Sequence, residues 1–395
     1  MYAMTIGARS LGIGSGSSKA KYPLMKKDNE LTGIEILRFV CAFGVVVWHY
    51  QHFFFRGTWD PQLGAALRPA LPLYSALFIF YDNGSLAVPF FWVISGFIFY
   101  WHYSAPVRSG TVKFSEFLVR RFSRLYPLHF VTLIFVALGQ FAYYESHRQT
   151  FIYSFNKPIW FATQLLFASN WFARQPLTFN GPIWSVSNEI LIYLLFFAIA
   201  RTFGPRAFVA MLITAAFSIC FNFLHGYISP GVIACGMYFF AGGLAQRLYA
   251  RPAVLQIAGC VVISILAVLM SGHYGLNTAY LLPLAMSVVI VMTRLGETVL
   301  RVPLRHLAFL GNATYSSYLL HFPLQLLLVI LFDAIGWRRE IFYSPIAFVA
   351  FLGGVIGLSL VVYRHFEMPA QSLIRALTNS SLARLSVSVE ARRRV

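Results

Sequence analysis

The sequence predicts an all-α fold, a polytopic membrane helical bundle with about ten transmembrane helices. Three observations predict it. Hydrophobic residues fill 58% of the 395 positions and charged residues only 11%, an apolar excess that runs along nearly the whole chain and is too large for a soluble protein. Apolar runs long enough to cross a bilayer recur between short basic clusters. The formal net charge of +18 is gathered in those clusters, where the positive-inside rule accounts for it without any nucleic-acid partner.

The ten expected spans lie near 32–55, 86–104, 125–144, 183–201, 206–224, 230–248, 253–270, 275–293, 312–332 and 344–364. An N-terminus on the cytoplasmic side assigns roughly 23 Lys and Arg to cytoplasmic segments and about 7 to external ones. Both termini are therefore expected in the cytoplasm, with bacterial inner (plasma) membrane as the location. Residues 55–85 and 145–180 become the two large external connections, and their apolar stretches LPLYSALFIF and IWFATQLLFASNW suggest re-entrant or interfacial segments. Counting either as a crossing would place Arg120, Arg121 and Arg124 outside, against the charge rule.

Three segments follow from composition. Residues 1–27 are rich in Gly, Ser and Lys and read as a disordered cytoplasmic tail, with Met25 an alternative start. Residues 28–375 form one transmembrane domain, and 376–395 a short basic cytoplasmic tail. Cys41, Cys220, Cys235 and Cys260 show no metal-binding spacing and read as small buried hydrophobes. No nucleotide-binding or metallohydrolase motif is present, so neither a metal nor a permanently bound cofactor is expected.

The first span carries charge where charge is costly. His49 follows Arg38 by eleven residues, about three helical turns, so both lie on one face roughly 16 Å apart. Glu35 sits one turn before Arg38. The stripe suggests a lined cavity, with a structural ion pair and a satisfied histidine as the alternative. In FLVRRFSRLYP, residues 117–127, Arg121 and Arg124 can turn their forked donors to one volume beside Arg120, as phosphate binding requires. An ordinary lipid-headgroup anchor is the alternative.

The fourth span opens NGPIWSVSNEILIYLLFF, where Asn180 is expected to cap, Pro182 suits the first turn, and Ser185, Glu189 and Tyr193 share a face beside Trp184. Counting along both helices sets Glu189 and His49 at similar depth, where a carboxylate would orient the imidazole as a general base. The ninth span, GNATYSSYLLHFPLQLLLVILF, aligns Ser317, His321 and Gln325 with Tyr318 adjoining. That polar stripe again implies an interior cavity. His102 and His129 are expected at headgroups or the basic mouth; His52, His225 and His273 carry no usable pattern.

Taken together, these segments resemble the acyltransferase-3 family of ten-helix membrane proteins that O-acylate sugars. Arg38 and His49 match its Arg-x10-His, with Glu35 at its acidic position. FFWVISGFIFY at 90–100 looks like its FFVISGFLI stretch, and Arg121 and Arg124 match its RxxR. WSVSNEILIY resembles its WSLxxEExxY with Glu189 on the first Glu, YSSYLLHFP its YSLYLxHxP with His321 on the histidine, and HFEMPAQ its terminal FExP. Ile190 and Asn188 depart from the pattern, which removes the usual carboxylate pair. No appended hydrolase-like domain, such as some members carry, is expected.

The resemblance implies an acyl-CoA donor, acetyl-CoA first, bound from the cytoplasm by Arg121 and Arg124. His49 is then the expected base, oriented by Glu189, with Arg38 stabilising charge or holding the donor. Glu35, Trp184, Ser185, Tyr318, His321 and Gln325 are expected along the cavity or the substrate. Expected partners are membrane lipids, acyl-CoA, a carbohydrate acceptor free or lipid-linked, and polysaccharide-assembly proteins. A transporter or flippase for a small anion or lipid-linked sugar is the rival from another class. A lipid- or protein-directed acyltransferase of the other large membrane superfamily is the rival within the class.

Overall fold

The computed structural model describes residues 31–223, 228–274, 281–299, 307 and 309–378. The expected tail 1–27, nearly all of the tail 376–395, and His225 lie outside the described residues. Among the described residues, helices dominate and β-structure is limited to two isolated bridges.

Six helical runs are long and apolar enough to cross a membrane: Thr32–Phe54, Tyr74–Ser109, Phe114–His147, Gly181–Phe203, Thr314–Ala334 and Pro345–Thr378. The other four expected positions carry helices Ala207–Phe223 (α8), Pro230–Tyr249 (α9), Ala253–Tyr274 (α10) and Leu282–Val299 (α11). None of these is both long and apolar enough over its described residues.

The first run is α1 (Thr32–His49) followed by a 3-10 turn, Tyr50–Phe54. A short helix, α2 (Pro61–Leu67), starts on Asp60, whose side chain accepts from the Gln62 and Leu63 amides. That arrangement satisfies helix-start donors that would otherwise be orphaned. LPLYSALFIF, expected as a separate interfacial segment, instead forms α3 (Tyr74–Asn83), which continues through a 3-10 turn into α4 (Ala87–Ser109) as one run of 36 residues. The turn needs its glycine. A methyl group at Gly84 would lie 2.4 Å from the Gly44 carbonyl oxygen, so α1 crosses there at backbone contact.

Helix α5 (Phe114–His147) carries the arginine run in its first third, and α6 (Pro158–Leu165) lies in the second large connection. The expected Asn180 cap is not made, because its side-chain amide reaches across to the Leu319 carbonyl at 3.3 Å. A 3-10 turn, Gly181–Ile183, starts the chain into α7 (Trp184–Phe203) instead. After the short α12 (Phe309–Asn312) come α13 (Thr314–Ala334) and α14 (Pro345–Val362). Past α14 the backbone loosens into a π turn, Tyr363–Glu367, and Ser316 donates to the Glu367 carboxylate there.

Two apolar clusters hold the bundle. One gathers α4, α7 and α9 around Phe97, Phe99, Phe196 and Phe239; the other gathers the end of α1 with α5, α13 and α14 around Tyr50, Val136, Phe322 and Phe351. Small residues let α4 and α9 touch: a methyl at Gly96 would lie 1.7 Å from the Phe239 carbonyl oxygen, and one at Gly242 2.0 Å from that of Val93. Close backbone approach of this kind is how helices gain packing energy where lipid removes the hydrophobic drive.

The bundle has two chemically distinct ends. At one, Arg108 donates to the Arg201 and Thr202 carbonyls at 2.8 and 2.6 Å, satisfying the last turn of α7. At the other, buried Arg339 donates to the Phe55 carbonyl at 2.8 Å, the Tyr143 hydroxyl at 2.9 Å and the Asp333 carboxylate at 2.7 Å. His147 completes that cluster 3.0 Å from Asp333. The two connections over this second end meet through Ile152, whose amide donates to Gly57 at 3.0 Å while its carbonyl accepts from Trp59 at 3.3 Å.

Candidate active site

Two cavities of the bundle meet at Tyr318 and Val88, which line both. The first, about 120 Å³, is lined by Arg38 from α1, Ser95 from α4, Arg121 and Arg124 from α5, and Ser185, Glu189 and Tyr193 from α7. Arg38 is held by Glu35 one turn back at 2.7 Å. Arg121 lies over the Phe99 and Tyr103 rings, 4.9 Å from each centroid, and donates to the Tyr103 hydroxyl at 2.5 Å. Its Nε is buried without a partner. Arg124 makes no hydrogen bond or ion pair among the described residues, so its full fork of donors is available to an anion.

Glu189 belongs to this arginine cavity. Its carboxylate accepts from the Tyr193 hydroxyl at 2.8 Å, and Tyr193 lies 3.2 Å from the Ser95 hydroxyl. The expected partnership of Glu189 with His49 is therefore corrected: no hydrogen bond or ion pair joins them among the described residues, and they line different cavities. Depth counted along two helices takes no account of how each is rotated, and α7 turns Glu189 toward Arg121.

The second cavity, about 420 Å³, is lined by Trp48, His49 and His52 at the end of the first run, Trp59, Ser85 and Tyr153 in the connections, and Trp184 at the start of α7. His49 Nδ1 lies 2.9 Å from the Val45 carbonyl. A carbonyl can only accept, so Nδ1 carries the proton and Nε2 is left as the basic nitrogen. The backbone of α1 thus performs the orienting expected of Glu189.

Behind His49 stands α13. The His49 and His321 rings pack with centroids 4.7 Å apart, and Gln325 donates to the His49 carbonyl at 2.8 Å. His321 Nδ1 faces the Ser317 carbonyl at 3.3 Å, while its Nε2 is buried with no partner. The expected stripe Ser317, His321, Gln325 is thus buried on one face, yet His321 and Gln325 support His49 rather than line either cavity. Between the cavities Ser185 and Tyr318 share a bond of 2.7 Å, and Tyr318 donates to the Pro182 carbonyl at 2.7 Å.

Three further expectations change. Arg120 does not line the arginine cavity; it pairs at 2.5 Å with Glu116, one turn earlier, with both side chains exposed at 44% and 40%. Glu35 steadies Arg38 from outside the lining. His129 is fully buried and donates to the Gln164 carbonyl at 2.8 Å instead of meeting headgroups. His52, which shows no usable pattern in the sequence, joins the site. Its ring packs 4.7 Å from that of His49, and its Nδ1 is buried and unpartnered. The signal lies three residues past His49, in a stretch whose 3-10 winding brings positions i and i+3 over one another.

Among the described residues no cluster of His, Cys, Asp and Glu is suited to a metal ion. What the arrangement offers is a cation-lined pocket on one side, a neutral imidazole base on the other, and a hydroxyl pair between them. Such parts suit transfer of a group from an anionic donor to a hydroxyl.

A family model described as an acyltransferase domain matches residues 31–364. The chain belongs to the acyltransferase-3 family and is an acyltransferase, an integral membrane enzyme rather than the transporter that the polar stripes also permitted. Among curated proteins it is similar to "Acyltransferase MdmB" of Streptomyces mycarofaciens, 29% identical over 339 residues, covering 76% of this chain and 79% of that protein. It is also similar to "Protein 2 in picA locus" of Rhizobium radiobacter, 32% identical over 135 residues, 31% of this chain and 67% of that one. No solved structure matches the chain significantly.

Proposed function

We propose that this enzyme is a membrane O-acyltransferase that moves an acyl group, acetyl first, from cytoplasmic acyl-CoA to a sugar hydroxyl. The acceptor belongs to a cell-envelope or exported polysaccharide or its lipid-linked precursor. In this reading the protein spans the inner membrane about ten times with both termini in the cytoplasm, so the arginine cavity opens toward the donor and the histidine cavity toward the acceptor.

Arg121 and Arg124 bind donor phosphates, and Arg38, steadied by Glu35, holds the thioester or the charge that grows on its oxygen. His49 Nε2 takes the proton of the acceptor hydroxyl as that oxygen attacks the thioester carbon. The carbon–sulfur bond breaks, and the proton passes from His49 to the CoA sulfur, leaving an ester and free CoA. His321 and Gln325 hold His49 in place. A base of this kind supplies roughly 10² to 10⁴ in rate.

The observation that carries the reading is the Nδ1 contact to Val45, which leaves a basic Nε2 on a cavity separate from the arginines. The experiment is CoA release by the purified enzyme in liposomes, given acetyl-CoA with and without glycan acceptors. Release that depends on acceptor supports the reading; release indifferent to every hydroxyl acceptor overturns it.

A further inference from the structure

The two cavities differ in charge. Three guanidinium groups and a carboxylate line the arginine cavity, whereas the histidine cavity has no aspartate, glutamate, lysine or arginine among the described residues of its wall. Its wall is aromatic. The Trp48 and Trp59 rings meet at 5.3 Å between centroids with a tilt of 46°, and Trp59 also packs 5.5 Å from His52. Such a surface suits the C–H face of a pyranose, which is apolar on its faces and polar around its rim.

Polar groups are few and in part unused. The Tyr153 hydroxyl makes no hydrogen bond among the described residues, and burial pushes its pKa up, so it remains a neutral donor. Its ring is held close to the start of α7 because Gly181 has no side chain; a methyl there would lie 2.1 Å from it. His52 lines the same cavity with Nδ1 unpartnered. A bound sugar hydroxyl supplies the partner that the buried His52 Nδ1 lacks. A buried carboxylate would find no cation here to pair with.

We infer that the acceptor is an uncharged sugar, its pyranose face on Trp48 and Trp59 and its hydroxyls toward His49 and Tyr153, and that acidic sugars are excluded. This rests on the proposed sugar acceptor and goes beyond it by fixing the charge of the substrate and the residues that select it. A volume of about 420 Å³ lies within the range of small-ligand pockets, ~300–1,000 Å³, so roughly one or two rings enter and the rest of a longer chain stays outside.

The test uses the full-length protein in nanodiscs without donor, with saturation-transfer NMR reading the binding of neutral disaccharides, cellobiose and lactose, against aldobiouronic acids of the same size. Neutral sugars are expected to bind about tenfold more tightly than the acids. Trp59→Ala should abolish most of that binding and Trp59→Phe restore part of it. Should Trp59→Ala not fold, Ser85→Arg places a cation on the same wall and should bring the acids in. Equal or tighter binding of the acids by the unaltered protein, no binding of any neutral sugar, or indifference to Ser85→Arg overturns the inference. CoA release in the presence of acetyl-CoA separates the two levels. Acyl transfer to an acidic sugar sinks the neutral acceptor and leaves the transferase reading intact. Selective binding of neutral sugars without any transfer to a hydroxyl does the reverse.

Discussion

His321 stands 4.7 Å from His49, ring centroid to ring centroid, with its own Nε2 buried and unpartnered. The last turn of α1 and the middle of α13 therefore place two imidazoles side by side, each with Nδ1 turned to a carbonyl of its own helix. The base is positioned by helix backbone and a neighbouring ring. No carboxylate among the described residues touches it, which shapes the first prediction.

Glu189→Gln keeps the acceptor for Tyr193 but removes the charge beside Arg121. We expect donor affinity to change while the pH at which His49 loses activity stays where it is. The check is the pH profile of acyl transfer at saturating acyl-CoA; a profile displaced by Glu189→Gln contradicts the separation of the two cavities.

Arg124→Ala and Arg121→Ala should each weaken acyl-CoA binding by about ten- to a hundredfold, since a hydrogen bond to a charged group is worth about 1.5–3 kcal/mol. Arg120→Ala, which removes an exposed pair with Glu116, should change it little. Titration of purified protein with acyl-CoA distinguishes them, and equal losses at all three would mean that the run acts only as a basic surface.

Tyr318→Phe deletes the hydroxyl that bonds Ser185 and Pro182 between the cavities. Transfer should slow while binding of acyl-CoA alone is kept, because the arginines are untouched. A variant with unimpaired turnover shows that the hydroxyl pair has no part in carrying the reaction from one cavity to the other.

Gly96→Ala brings a methyl to 1.7 Å from a backbone oxygen of α9, so the helices must separate at a cost of about 1–3 kcal/mol. The thermal midpoint in detergent should fall, whereas Gly353→Ala, where a methyl meets nothing, should leave it nearly unchanged. Equal midpoints for the two variants would show that α4 and α9 are not in backbone contact.

Helical periodicity makes much of the site legible in the sequence. Arg38 and His49 fall on one stripe, Ser317, His321 and Gln325 on another, and Arg121 with Arg124 on a third, because a fixed 100° per residue holds within one helix. Relations between helices are less accessible. Depth alone matches Glu189 to His49, yet its partner depends on the rotation of α7 about its axis, which tertiary packing sets. His52 falls off the pattern because the α-helical period does not continue past the end of α1, where the chain winds into a 3-10 turn. Arg120, which leaves the cavity, is turned outward by an acidic residue one turn before it, a pairing visible in sequence at i, i+4 but masked by the charge run itself.

The most direct test of the account is the ester content of the cell-envelope glycans, measured by NMR in cells that carry either the unaltered enzyme or His49→Gln at equal membrane abundance. With Nε2 of His49 as the base, acylation should fall by roughly 10² to 10⁴. Glycans acylated as fully by His49→Gln as by the unaltered enzyme would contradict it.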